Sequence, residues 1–189
     1  MKSIKFLFLG LIALNLFVTS CSDDDSDDMD DLNIVETAVA TPDLSSLVEA
    51  LQAANLDDDL AGDGPFTVFA PTNQAFQDLL DSNPDWNTLD DIPADLLENV
   101  LLFHVVAGER LNAADLSTGY ESTLATGPNS ESLSLYVNTD GGVLLNGDTG
   151  VSTADVETSN GVVHIIDAVM LPPNVVDLAV NDAATFSVL

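Results

Sequence analysis

"FTVFAPTNQAF", Phe66 to Phe76, changes character at its midpoint. Phe66–Phe69 is aromatic and β-branched, a composition that fits a pleated, buried surface. Ala70-Pro71 ends that run, because proline donates nothing to a strand ladder. Thr72 or Asn73 then offers a side-chain oxygen to the free amides of a helix that carries Ala75, Phe76, Leu79 and Leu80 on one face. A strand, a stop and a capped helix follow one another within eleven residues.

Helical patterns flank this stretch. Ile34–Val39 has apolar residues at helical spacing and is broken near Pro42. Thr41-Pro42-Asp43 reads as a second start, with a capping oxygen, proline at the first position and an acid at the positive end. Leu44, Leu47, Val48 and Leu51 follow at i, i+3, i+4 and i+7. Asp57–Asp59 with Gly62 and Gly64-Pro65 reads as a turn. After Pro93, Ala94–His104 is helical and sets Leu96, Leu97, Val100, Leu101 and His104 on one face. Beyond Gly108 the runs become short and alternating. "SLSLYV" and "GVLLNG", joined by Asn138–Gly142, predict a hairpin, and a last strand is expected over Val162–Leu171, stopped by Pro172-Pro173. Helices first and strands later imply an α+β domain with the helices gathered on one side of an antiparallel sheet.

Three segments in this order resemble the fasciclin domain: "FTVFAPTNQAF", "LLENVLLFHVVAGE" and "NGVVHIIDAVMLPP". The resemblance covers residues 34–173. It implies a β-wedge of mostly antiparallel strands under a helical cap, and an adhesion module of extracellular surfaces and matrices without catalytic turnover or cofactor. It makes Thr72, Asn73, His164 and Asp167 structural members of the signatures. Phe103-His104 stands where the family usually has tyrosine-histidine, a stretch tied to integrin binding in animal members, so both become candidate contact residues. Against that, phenylalanine lacks the hydroxyl, and the helix pattern turns His104 inward. Some algal members carry carotenoids, which makes an apolar groove between cap and sheet an alternative binding site for a hydrophobic small molecule.

The ends of the chain read differently. Residues 1–20 carry two lysines and then a short apolar run, Phe6–Val18, the pattern of a secretion signal and too short to span a bilayer. Val18-Thr19-Ser20 before Cys21, the single cysteine, resembles a bacterial lipobox. Cys21 is therefore expected to be lipidated, anchoring the chain to a membrane through acyl chains. Residues 21–33 are nearly all acid and serine and read as a disordered tether. The serine with three aspartates after Cys21 resembles an export signal that places bacterial lipoproteins on the outer face of the outer membrane. At the other end, residues 174–189 repeat the pattern of Ile34–Leu47: Val175, Val176, Ala179 and Val180 match Ile34, Val35, Ala38 and Val39. The expectation is the truncated start of a second fasciclin-like repeat.

Chemistry of other kinds finds little support. Thirty-two acids face three bases, for a formal charge of −29. Lys2 and Lys5 lie in the signal, leaving Arg110 as the one base beyond it, so nucleic acid and anionic headgroups are excluded as electrostatic partners. The partner class left is a surface or matrix protein or glycan. His104 and His164 fall at core-facing positions, and with Asp167 they show no zinc-site spacing. Asp57–Gly64 has Ala61 where a calcium loop needs an oxygen and no bidentate glutamate, so no metal site is assigned. A chain this acidic repels itself. Its melting temperature should therefore rise from low salt to sea-water salt in a thermal denaturation series; a flat or falling trend would contradict the role given to self-repulsion.

Overall fold

In a computed structural model, residues 32–173 are described. Cys21, the tether as far as residue 31 and the repeat at 174–189 lie outside them. Five α-helices and seven strands follow in the order α1 (Ile34–Ala40), α2 (Ser45–Ala53), α3 (Asp57–Ala61), β1 (Phe66–Pro71), α4 (Asn73–Asp81), α5 (Ala94–Phe103), β2 (Val105–Ala107), β3 (Gly119–Thr126), β4 (Ser132–Asn138), β5 (Leu144–Leu145), β6 (Thr149–Thr158) and β7 (Gly161–Ile166). The strands pair in the order β2-β1-β7-β6-β5-β4-β3. Every pair is antiparallel except β1 and β7, which run parallel from Phe66↔Gly161 to Pro71↔Ile166. This is an α+β fold.

Two apolar cores lie on opposite sides of the β1–β7 pair. Val68, Ala70 and Val163 face the helices, where they meet Ile34, Leu47, Leu51, Phe76, Leu97 and Leu101. Phe69 and Ile166 face the other way and pack with Phe103, Val106, Leu135, Val137 and Leu145 of the remaining sheet. The period-2 alternation of a strand thus feeds both cores at once. It also explains why "GVVHII" reads as a continuous apolar run rather than an alternating one.

Local chemistry departs from the sequence reading at four places. Asp57–Asp59 is not a turn but the first turn of α3, where three acids face the positive helix end while Leu56 and Leu60 bury inward. Thr41 does not cap the second helix. Its hydroxyl donates to the Thr37 carbonyl, and Pro42–Leu44 forms a 3₁₀ turn first. The last strand stops at Ile166 rather than running to Leu171, because Asp167 turns back on β6: its Oδ1 accepts from Gly150 N–H at 2.8 Å and its own N–H donates to Gly150 O at 3.1 Å. Finally, Thr72 caps α4 through Ala75 N–H, whereas Asn73 serves a different helix. Asn73 Oδ1 accepts from Ser46 N–H (2.8 Å) and Ser45 Oγ (3.2 Å), and Nδ2 donates to Pro42 O (2.9 Å).

That amide closes the start of α2 from across the fold. Asn73→Ala should cost about 1–2 kcal/mol, at the high end for a capping residue because a donor is lost with the acceptor. Asn73→Asp, which keeps only the acceptor, should fall between wild type and alanine. Urea titrations of the three proteins check the order, and an alanine variant as stable as wild type would refute the capping role.

Candidate functional site

The three signature segments converge on the β1–β7 pair. The close approach begins at the turn before β7. A Cβ on Gly161 would lie 2.2 Å from Phe66 O, and one on Gly64 would lie 1.9 Å from Asn160 O, so both positions exclude a side chain. Between them Asn160 ties four segments together. Its Oδ1 accepts from Ile34 N–H (3.0 Å), Nδ2 donates to Leu60 O and Gly62 O (2.8 Å each), and its carbonyl accepts from Phe66 N–H (3.0 Å). Sequence reasoning passed over Asn160; the Asn-Gly pair opening the last signature was the available signal.

Both histidines are part of this frame. His104 is buried, its Nδ1 lies 2.7 Å from Val100 O, and Met170 N–H donates to its Nε2 at 2.9 Å. A carbonyl only accepts and an amide only donates, which fixes the Nδ1–H tautomer. His164 is buried with the opposite assignment: Nε2–H donates to Leu111 O (2.8 Å), and Asp155 N–H reaches Nδ1 at 3.3 Å. Phe69 lies between them. Its ring stacks on His164 with centroids 5.5 Å apart, and its N–H donates to His104 O at 2.9 Å. All four imidazole nitrogens are engaged by backbone, so neither ring is free as a base or metal ligand.

The candidate contact pair is overturned by the same geometry. Phe103 is 1% exposed and His104 2%, so neither reaches a partner from inside this fold. The helix end that carries them is buried because Phe103 fills the second core while His104 bridges α5 to the segment after β7.

Two shallow openings lie at the surface. A cleft of about 340 Å³ is lined by Asp63, Gly64, Pro65, Arg110, Ser159 and Asn160. Arg110 is already held there by the Glu157 carboxylate and the Thr158 carbonyl, a half-exposed pair worth at most ~1 kcal/mol. A groove of about 240 Å³ runs between α4 and residues 168–171. One enclosed apolar pocket between the cap and the sheet, lined by Ile34, Leu47, Leu51, Val68, Leu101 and Val163, holds about 10 Å³. No group of His, Cys, Asp or Glu among the described residues could hold a metal ion, and none of their helices is long and apolar enough to cross a membrane.

The fasciclin-domain family model matches residues 42–172. The chain belongs to the fasciclin-domain family. Protein sll1483 of Synechocystis sp. is 43% identical over 142 residues, covering 75% of this chain and 74% of that protein. Immunogenic protein MPB70 of Mycobacterium bovis is 33% identical over 147 residues, 74% of this chain and 69% of its own. Human periostin is 31% identical over 154 residues, which span 78% of this chain and 17% of periostin. In three dimensions the fold is similar to a FAS1 domain pair from the insect cell adhesion molecule fasciclin I, with a TM-score of 0.61 at 20% identity. That match covers 76% of this chain and 52% of the solved pair, so this chain spans about half of it.

In this fasciclin domain His104 sets a pH limit on stability. Burial lowers its pKa from 6.5 to about 4, against the opposing pull of the Val100 carbonyl. Unfolding returns the ring to its ordinary value, so below 6.5 the unfolded chain takes up a proton that the folded chain refuses. The contribution is complete above the unfolded pKa and is lost as pH falls toward the folded one, about 3 kcal/mol in all. Urea midpoints measured across that window should therefore fall on acidification, and His104→Gln should flatten the fall. An equal slope in both proteins would refute the assignment.

Proposed function

We propose that the protein is a non-catalytic adhesion module, held at a bacterial outer surface by lipid on Cys21 and reaching surface or matrix proteins or glycans through its outer faces. The observation that carries this reading is the fate of the signature residues. Thr72, Asn73, Asn160, His104, His164 and Asp167 are all committed to holding backbone. What such a domain offers a partner is its surface. Kinship with periostin and the fold shared with a cell adhesion molecule support the same class.

The acidic stretch after Cys21 would serve as a self-repelling spacer that lifts the domain off the bilayer. Should the chain continue into further repeats, weak contacts would add by avidity. The alternative, a carotenoid-like ligand, needs a pocket of several hundred Å³. The apolar pocket between cap and sheet, at about 10 Å³, is far below that size.

The test uses the full chain displayed on bacteria that export and lipidate it. Wild type should take up a palmitate analogue, fractionate with membranes and promote attachment to matrix-coated surfaces. Cys21→Ala should lose the label and the membrane association together, and with them the attachment. A wild-type mature protein whose thiol is free, or cells that attach no better than those bearing Cys21→Ala, would overturn the proposal.

A further inference from the structure

The outer face of the β3–β4 hairpin carries no charge. Side chains at alternate positions point outward: Tyr120, Ser122, Leu124 and Thr126 on β3, and Ser132, Ser134, Tyr136 and Asn138 on β4. None is acidic, in a chain with 32 acids. Carboxylates flank the strip rather than lie on it: Glu131 and Asp140 stand in the turns at its two ends, Asp148 in the turn after β5, and Glu121 alternates to the opposite face, opposite buried Leu135. Tyr120 is 74% exposed, the most open large apolar side chain among the described residues. Opposite it on β4 is Tyr136, half-buried, with ring centroids 5.2 Å apart and planes tilted by 54°.

The platform is stiff. Tyr136 is locked from the far side by Asn146, whose N–H donates to Tyr136 O (2.8 Å) and whose Oδ1 accepts from Tyr136 N–H (3.1 Å). Beneath it Leu135 and Val137 are fully buried. The exposed Tyr120 ring packs on a tyrosine whose backbone is held this way, and the pair presents a large amphipathic surface. Hydroxyls line the same face at Ser122, Thr126 and Ser134.

We infer that this tyrosine-bearing, charge-free strip is a binding surface for neutral polysaccharide. Charge selects the occupant. A polyuronate or a second copy of this chain brings more negative charge to a protein already at −29. A basic partner would find no carboxylate on the strip to pair with. A neutral sugar chain needs neither: its C–H face stacks on the Tyr120 ring, and its hydroxyls exchange hydrogen bonds with the serine, threonine and tyrosine hydroxyls. The inference rests on the surface-contact reading above and gives it a partner class.

Native electrophoresis of the full chain through gels containing glucan, mannan, galactan or xylan, with polyuronate gels alongside, tests it. At least one neutral polymer should retard the wild type, and polyuronate should not. Tyr120→Ala should weaken binding at least about tenfold, the loss typical of an aromatic anchor. Tyr120→Phe should keep most of it. Ser134→Asp, which puts a carboxylate on the face without removing the ring, should leave neutral-glycan binding weakened but not abolished. Unchanged melting temperatures keep the comparison to folded protein. Passage unretarded through every neutral gel overturns the inference, as does equal retardation of Tyr120→Ala. A concentration-dependent dimer lost in Tyr120→Ala would assign the strip to self-association instead. Loss of glycan binding with cell attachment intact defeats only this inference; loss of attachment by wild type defeats the adhesion reading itself.

Discussion

The parallel register of Phe66–Pro71 against Gly161–Ile166 lets two backbones meet where no side chain fits, at Gly64 and Gly161. Everything else is arranged around that contact. The pair is buried on both faces, so its alternating side chains found two cores, one under the helices and one inside the folded sheet. Burying Phe69 alone stabilises by roughly 2–3 kcal/mol, and the same residue stacks on His164 and bonds the carbonyl of His104. Residues that define the family in sequence are therefore those that join distant stretches of chain, which is why so many of them are buried.

Much of this was legible before the fold was seen. Phe66–Phe76 already reads as strand, stop and helix, because β-branching, proline and a capping threonine are local signals. Likewise the leucine stripe of α5 and the turn residues between β4 and β5 act over a few positions. What escaped depends on partners far along the chain. Asn73 looks like a cap for its own helix, yet it closes α2, since only tertiary packing brings Ser46 to its side chain. The parallel β1–β7 pairing has no local signature at all. α3 was hidden by three aspartates, whose preference for turns is outweighed by the burial of Leu56 and Leu60. β3 was passed over because "GYESTLAT" is half polar, and with it went Tyr120.

Stability in this molecule comes from packing rather than charge. Arg110, the one Lys or Arg among the described residues, is spent on a half-exposed pair, so the other acids there have no lysine or arginine to meet. Such a surface disperses the domain and keeps copies apart. It also makes any uncharged face conspicuous, because close approach is least opposed there.

The amino-terminal edge of the domain is fastened in an unusual place. Ser159 N–H donates to Leu32 O at 2.8 Å and Ile34 N–H donates to Asn160 Oδ1 at 3.0 Å, so the first described residues are sewn to the turn that leads into β7. A mechanical pull arriving from that end does not simply peel α1 from the surface. It meets two bonds at the entry to β7, a strand with ladder neighbours on both sides. Drag on such a chain is delivered to the entry of an interior strand rather than to the sheet's edge.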